Sequence, residues 1–96
     1  MHGEYKMPGG KLIVIDLDIE SGRLARVQLS GDFFLEPDAA LKDINCALEG
    51  LPAASDEATL ARAVAETTRT GVMMYGISPE AVAVAVRRAI DQESAT

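Results

Sequence analysis

The chain has 96 residues, 48% apolar and 25% charged, the composition of one small globular domain with no room for a second core. Nine basic against fifteen acidic residues leave a net charge of −6, which argues against a general nucleic-acid binder, since that needs a basic face to neutralise phosphates. A lone cysteine excludes an intrachain disulfide and a thiolate cage for zinc or an iron–sulfur cluster, and a single histidine, His2, argues against a histidine-based metal site or catalytic triad. Residues 1–10, MHGEYKMPGG, read as an N-terminal arm or loop, because Pro8-Gly9-Gly10 cannot hold a regular element together. Lys11 to Ile19 then alternates as a β-strand, with Ile13, Ile15, Leu17 and Ile19 on one face. Its other face, Leu12, Val14, Asp16 and Asp18, is apolar at one end and wet at the other, a pattern that either a local segment or a partner must cover.

Glu20-Ser21-Gly22-Arg23 is a hairpin connection, and Leu24 to Ser30 returns as a second strand with Ala25, Val27 and Leu29 on one side. Gly31-Asp32-Phe33-Phe34-Leu35 is compatible with an extension of that strand, a bulge at Gly31 or the start of a third strand. The period then becomes helical. Pro37 or Asp38 opens a helix with Leu41, Ile44 and Leu48 on its stripe, Cys46 expected among its small core residues, and Gly50 suited to its C-terminal cap. Ser55 is the expected N-cap of a second helix striped by Leu60, Val64 and Thr68, which Gly71 ends. Val72 to Tyr75 is a short strand or an extended connection, with Met73, Met74 and Tyr75 read as packing. Ser78-Pro79-Glu80 starts a third helix, lined by Val82, Val86, Ala89 and Ile90, and residues 91–96 are expected to fray. The expected architecture is therefore α+β: a small antiparallel sheet, a hairpin plus one or two short strands, with about three helices packed on one side, forming a single domain over residues 1–96. Alanine supplies 15 of the apolar residues and only Tyr5, Phe33, Phe34 and Tyr75 are aromatic, so the core is expected to be thin and open to completion by a partner. The longest unbroken apolar run, Leu12 to Ile15, is far short of a membrane span, and the polar start with Glu4 and Pro8 is no secretory leader, so the expected compartment is the cytoplasm.

Three places carry possible chemistry. Lys6-Met7-Pro8-Gly9-Gly10-Lys11 sets two lysines around a segment without bulky side chains, where backbone N–H groups can approach a phosphate or carboxylate, although a Walker loop is absent because Leu12 follows Lys11. The bland alternative is an unstructured start that turns into a strand. In Ser30-Gly31-Asp32-Phe33-Phe34, adjacent rings of an extended segment face opposite ways, so one Phe fills the core and the other is a candidate anchor for a partner. Asp16, Asp18 and Glu20 lack the spacing of a calcium loop and are best read as a solvated strand edge. No nucleophile, base and orienting group can be assembled, so the chain is not expected to be an enzyme in its own right.

YKMPGGKLIVIDLDI, the glycine hairpin and SGDFFLEPDAALKDINCALEG together resemble the small C-terminal accessory domain of lipoate–protein ligases, in its stand-alone form encoded as a separate chain. The resemblance is best over residues 3–51, with GDFF after the hairpin its most specific element, and beyond that only the helix pattern agrees. It implies a non-catalytic subunit that packs against a larger catalytic chain, which activates lipoate with ATP and passes it to a lysine of a lipoyl acceptor domain. It implies that Lys6, Gly9, Gly10 and Lys11 face the partner's adenylate site and that Gly31, Asp32, Phe33 and Phe34 shape the fold or the contact. Lipoate, ATP and Mg²⁺ are implied through the partner, with no cofactor bound by this chain alone. The arginine-rich triple-glycine lipoate motif is missing, and a related iron–sulfur scaffold function is disfavoured because Cys46 stands alone. The alternative is a self-associating binding module without a ligase partner, pairing as a homodimer through the Leu12/Val14 face.

Overall fold

The computed structural model describes residues 1–9, 11–69 and 71–94. Three antiparallel strands form the main sheet in chain order: β1 (His2–Lys6), β2 (Leu12–Glu20) and β3 (Arg23–Gly31). A separate two-stranded sheet pairs β4 (Phe34–Glu36) with β5 (Met73–Tyr75). The helices are α1 (Ala39–Leu48), α2 (Glu57–Thr68) and α3 (Pro79–Ser94). The expected α+β architecture is the one observed. Helix α1 covers β3 and α3 covers β1 and β2, while α2 packs on the two other helices and on no strand.

Two readings of the chain ends change. The expected arm over residues 1–10 is mostly strand, since His2–Lys6 pairs with β2 in the register His2 with Asp16 and Lys6 with Leu12. The expected frayed tail from residue 91 continues α3 as far as Ser94, and the last two residues lie outside the described ones.

The hairpin joining β2 and β3 turns on Ser21 and Gly22, with φ of 53° and 76°. Positive φ at both centres is the primed turn whose twist matches that of the flanking strands. Further along, the alternation expected of β3 fails. Asp16 pairs with Gln28 but Asp18 pairs with Ala25, so Arg26 and Val27 together oppose Leu17. Arg26 occupies the left-handed region at φ 49°, and this bulge shifts the phase so that Leu24, not Ala25, joins Val27 and Leu29 in the core.

The long edge of β3 is closed by its neighbours. Val27 and Leu29 donate their N–H groups to Glu49 Oε2 and Asn45 Oδ1 of the α1 end, at 3.1 and 3.0 Å. Leu24 exchanges backbone bonds with Leu51 and Gly50, and Arg23 forms a bridge with Pro52. No unpaired strand edge is therefore offered there for sheet addition.

The caps follow the sequence with small shifts. Asp56 rather than Ser55 caps α2, accepting from Thr59 N–H at 2.8 Å. Ser78 caps α3, its Oγ accepting from Ala81 N–H at 3.1 Å. Cys46 is exposed, because two residues of helix turn it about 200° from Ile44. Leu60, Val64 and Thr68 are all buried, as their spacing predicts.

The large side chains sealed most completely are aliphatic: Ile13 and Ile15 from β2, Ile44 and Leu48 from α1, Leu60 and Val64 from α2, Val82 and Val86 from α3. Each such burial contributes about 1.5–3 kcal/mol relative to exposure. The alanines have a different use. Ala81, Ala85 and Ala89 are buried on α3, and Gly3 of β1 lies so close that a Cβ there would meet Ala89 N at 2.4 Å and Ala85 O at 2.5 Å. Small residues on both sides let the helix axis approach the strand, and the core closes by proximity instead of by bulk.

Candidate functional site

The Lys6–Lys11 segment is the tight connection between β1 and β2, closed by Met7 N–H donating to Lys11 O at 2.8 Å. Gly9 has φ 101° with open space around its Cα, so the turn needs glycine for its backbone and not for clearance. Gly10 lies outside the described residues. Lys6 and Lys11 are exposed, and neither has an ion-pair partner among the described residues.

The glycine of the GDFF element meets this turn. Gly31 sits at φ 142°, where a Cβ would fall 2.1 Å from Leu12 O, and Asp32 N–H donates to that same carbonyl at 3.0 Å. The Lys11 stem lies against Gly76, whose Cβ would meet Lys11 Cγ at 2.6 Å. Close backbone approach thus gathers Lys11, Gly31, Asp32 and Gly76 at one end of the main sheet. These are segments far apart in sequence.

From Asp32 the chain turns into β4 and its two rings separate. Phe33 is half-buried and packs against the core, whereas Phe34 is 55% exposed. Phe34 stands directly opposite Tyr75 across the β4–β5 pair, with ring centroids 6.0 Å apart and planes tilted by 46°. Met73 and Tyr75 share the outward face, 54% and 50% exposed, while Met74 turns inward against the core. The reading of Met73 and Tyr75 as packing residues is corrected here. The signal that finds them is the alternation of β5: once Met74 points in, its two neighbours point out. Beside Phe34, between β3–β4 and α1, runs a groove of about 380 Å³ lined by Leu29, Phe33, Leu35, Leu41 and Asp38.

By contrast, the expected Leu12/Val14 face is modest. Both residues are half-buried, and their cross-strand neighbours are Lys6, Glu4 and Ser30.

The three acids of β2 are divided among basic partners. His2 Nδ1 lies 2.7 Å from Asp16 Oδ1 and His2 Nε2 lies 2.7 Å from Glu4 Oε2. Two carboxylates on the two ring nitrogens require both nitrogens to donate, and these hydrogen bonds, to Glu4 first and then Asp16, hold the His2 pKa above its ordinary value. Arg26 Nε donates to Asp18 Oδ2 at 2.6 Å and the guanidinium also pairs with Glu20. That hydrogen bond holds the Asp18 carboxyl below the usual range. His2 is thus fully engaged by carboxylates, and the described residues contain no group of three or more His, Cys, Asp or Glu able to hold a metal ion. No described helix is long and apolar enough to cross a membrane.

On α3, Arg87 donates to Ala53 O at 2.7 Å and to Asp91 at 2.6 Å. Arg88 lies 5.0 Å from the centre of the Tyr5 ring. Both arginines tie the last helix to its surroundings.

No protein-family model matches the chain. No curated protein matches it either. Among solved structures it is similar to a chain in the structure of an archaeal lipoylation system, a bi-partite lipoate protein ligase and its E2 lipoyl domain from Thermoplasma acidophilum. The superposition has a TM-score of 0.70 and 26% sequence identity, over 91% of this chain and 98% of that one. The likeness therefore spans nearly the whole of both chains, and it points to a role connected with protein lipoylation.

Proposed function

We propose that this chain is a non-catalytic accessory subunit, which binds the catalytic chain of a lipoate–protein ligase and supports ATP-dependent adenylation of lipoate for transfer to lipoyl acceptor domains. The observation that carries the reading is the likeness, over 91% of this chain and 98% of the other, to a chain in the structure of a bi-partite lipoate protein ligase and its E2 lipoyl domain. Two features support it. The chain's one histidine, His2, has both ring nitrogens on carboxylates at the end of β1 opposite to the glycine turn, so the turn carries no imidazole. It does offer two ammonium groups without ion-pair partners among the described residues, Lys6 and Lys11, set on either side of a glycine turn.

In this reading lipoate, ATP and Mg²⁺ are held by the catalytic chain, and Lys6, Gly9 and Lys11 close over the adenylate from this side. Gly10 belongs to the same turn by sequence. An ammonium aimed at phosphate in a pocket that excludes water stabilises developing charge by about 3 kcal/mol, roughly 100-fold in rate. Gly31 and Asp32 hold the turn in place through Leu12 O.

The test is ATP–pyrophosphate exchange by the catalytic chain with and without this chain. Exchange is expected to require the complex, and Lys6→Ala or Lys11→Ala is expected to lower it by about 100-fold at unchanged melting temperature. Normal exchange with both variants removes the phosphate-facing role, and exchange that is indifferent to the whole chain removes the accessory role.

A further inference from the structure

The exposed large hydrophobic side chains among the described residues are Phe34, Met73 and Tyr75, and all three stand on the outward face of the β4–β5 sheet. They are already ordered against one another. Phe34 and Tyr75 are cross-strand partners with tilted rings, and the Tyr75 hydroxyl points at Met73 Sδ at 3.7 Å. Preset aromatic side chains lose little freedom on binding, and such anchors carry most of the energy of protein interfaces. The groove beside Phe34 extends the apolar area toward Leu41 of α1.

Charge decides what covers this face. Residues 31–38, which supply β4 and its border, contain Asp32, Glu36 and Asp38 and no basic residue, and residues 71–77 around β5 carry no charge. Glu36 shares the outward side of β4 with Phe34, opposite Met73, and Asp38 lines the groove. Lys11, its stem on Gly76 next to Tyr75, is a basic residue at the far border. Two copies meeting here about a two-fold axis would bring one Lys11 from each copy against three acids of the other, and the acids left without a basic partner are costly at an interface. The occupant is instead a surface with an apolar centre and a basic rim.

We infer that the Phe34–Met73–Tyr75 face, with its Asp32/Glu36/Asp38 border, is the docking surface for a basic-rimmed apolar patch on the catalytic ligase chain. This rests on the accessory-subunit reading and gives it a location. Phe34 and Tyr75 are the anchors, and the acids set the orientation and speed the encounter. Because Lys11 touches Gly76, docking here also sets the Lys6–Lys11 turn beside the partner.

The experiment is calorimetric titration of the full chain, and of Phe34→Ala, Tyr75→Ala, Met73→Ser and Glu36→Lys variants, into the catalytic lipoate-ligase chain of the same organism. Melting curves accompany every variant, and sedimentation of the chain alone is recorded. The three apolar anchors are half-exposed, so the variants are expected to melt near the wild type. Phe34→Ala and Tyr75→Ala are expected to weaken binding about 30-fold each. Glu36→Lys and an increase of salt from about 50 to about 500 mM are each expected to weaken it as well. Wild-type binding with all four variants unaffected overturns this surface and leaves the accessory reading standing. No binding by the wild-type chain overturns both. Self-association of the wild-type chain that Phe34→Ala abolishes makes a second copy the occupant and overturns the inference.

Discussion

Replacing Gly3 with alanine adds one methyl group, and the geometry states what that methyl meets. Its position lies 2.4 Å from Ala89 N, 2.5 Å from Ala85 O and 2.8 Å from Ala89 Cα. Ordinary contact between such atoms begins near ~3.5 Å, so α3 and β1 must part by about 1 Å. All three atoms are backbone, so no rotamer change relieves the contact, and trimming Ala89 to glycine does not either. Parting the layers also loosens Val82 and Val86, which are fully buried on α3. Forcing a methyl into a filled interior costs about 1–3 kcal/mol. For a domain of this size that lowers the melting temperature by about 5–20 °C. Thermal melts by circular dichroism of the wild type, Gly3→Ala and Gly3→Ala/Ala89→Gly measure it. Gly22→Ala is the comparison, because Gly22 has open space and only its φ of 76° opposes a side chain. Left-handed strain alone costs about 1 kcal/mol. A Gly3→Ala variant melting within about 2 °C of the wild type, or rescue by Ala89→Gly, refutes the close approach as the way this core is sealed.

Two further outcomes are expected. The His2 pKa is raised by Glu4 and Asp16, so its ion pairs stabilise the β1–β2 pair fully below pH of about 6.5, and that stability is lost as pH rises through the folded-state value. Melting temperatures of the wild type and His2→Gln are expected to differ at pH 5 and converge at high pH, and a constant difference across the range counts against the pairing. Asn45→Ala removes the acceptor for Leu29 N–H, which is partly buried, at a cost of about 1–2 kcal/mol. Amide exchange at Leu29 is expected to accelerate, and unchanged exchange shows that the β3 edge is held by other contacts.

Much of this fold could be read from local chemistry, and the exceptions have physical causes. Ser21-Gly22 announced a hairpin because Gly22 accepts positive φ, and Ser78-Pro79 announced a helix because a hydroxyl cap and a fixed φ serve its first turn. β1 was hidden. Its inward residues are Gly3 and Tyr5, and the glycine is required by the nearness of α3, so the strand shows no apolar alternation. The bulge at Arg26 was hidden as well, since a non-glycine residue at positive φ leaves no pattern, yet it decides that Leu24 is buried. The separation of Phe33 from Phe34 was legible, because adjacent residues in an extended segment face opposite ways. Tyr75 as the partner of Phe34 was not, because it is fixed by a pairing between segments about 40 residues apart.

The unusual composition connects the fold to the proposed role. A thin, alanine-rich core suggested that a partner completes it, but the structure closes that core from within. Ala81, Ala85, Ala89 and Gly3 bring α3 against the sheet, and the fully buried large side chains are all Ile, Leu or Val. Of the four aromatic residues, only Tyr5 and Phe33 pack against it, and both are partly exposed. Tyr5 lies beneath Arg88 and Phe33 is half-buried, while Phe34 and Tyr75 stand outside as a pair. An interior completed by a partner would leave its uncovered apolar area continuous with Ile13 or Leu17, and those residues are sealed. The uncovered area lies instead on a small second sheet, whose pairing contains only three residues on each strand. Binding there adds contact to a finished domain. That arrangement suits a subunit that joins a catalytic chain as a preformed body, and it separates the residues that make this chain fold from those proposed to make it useful.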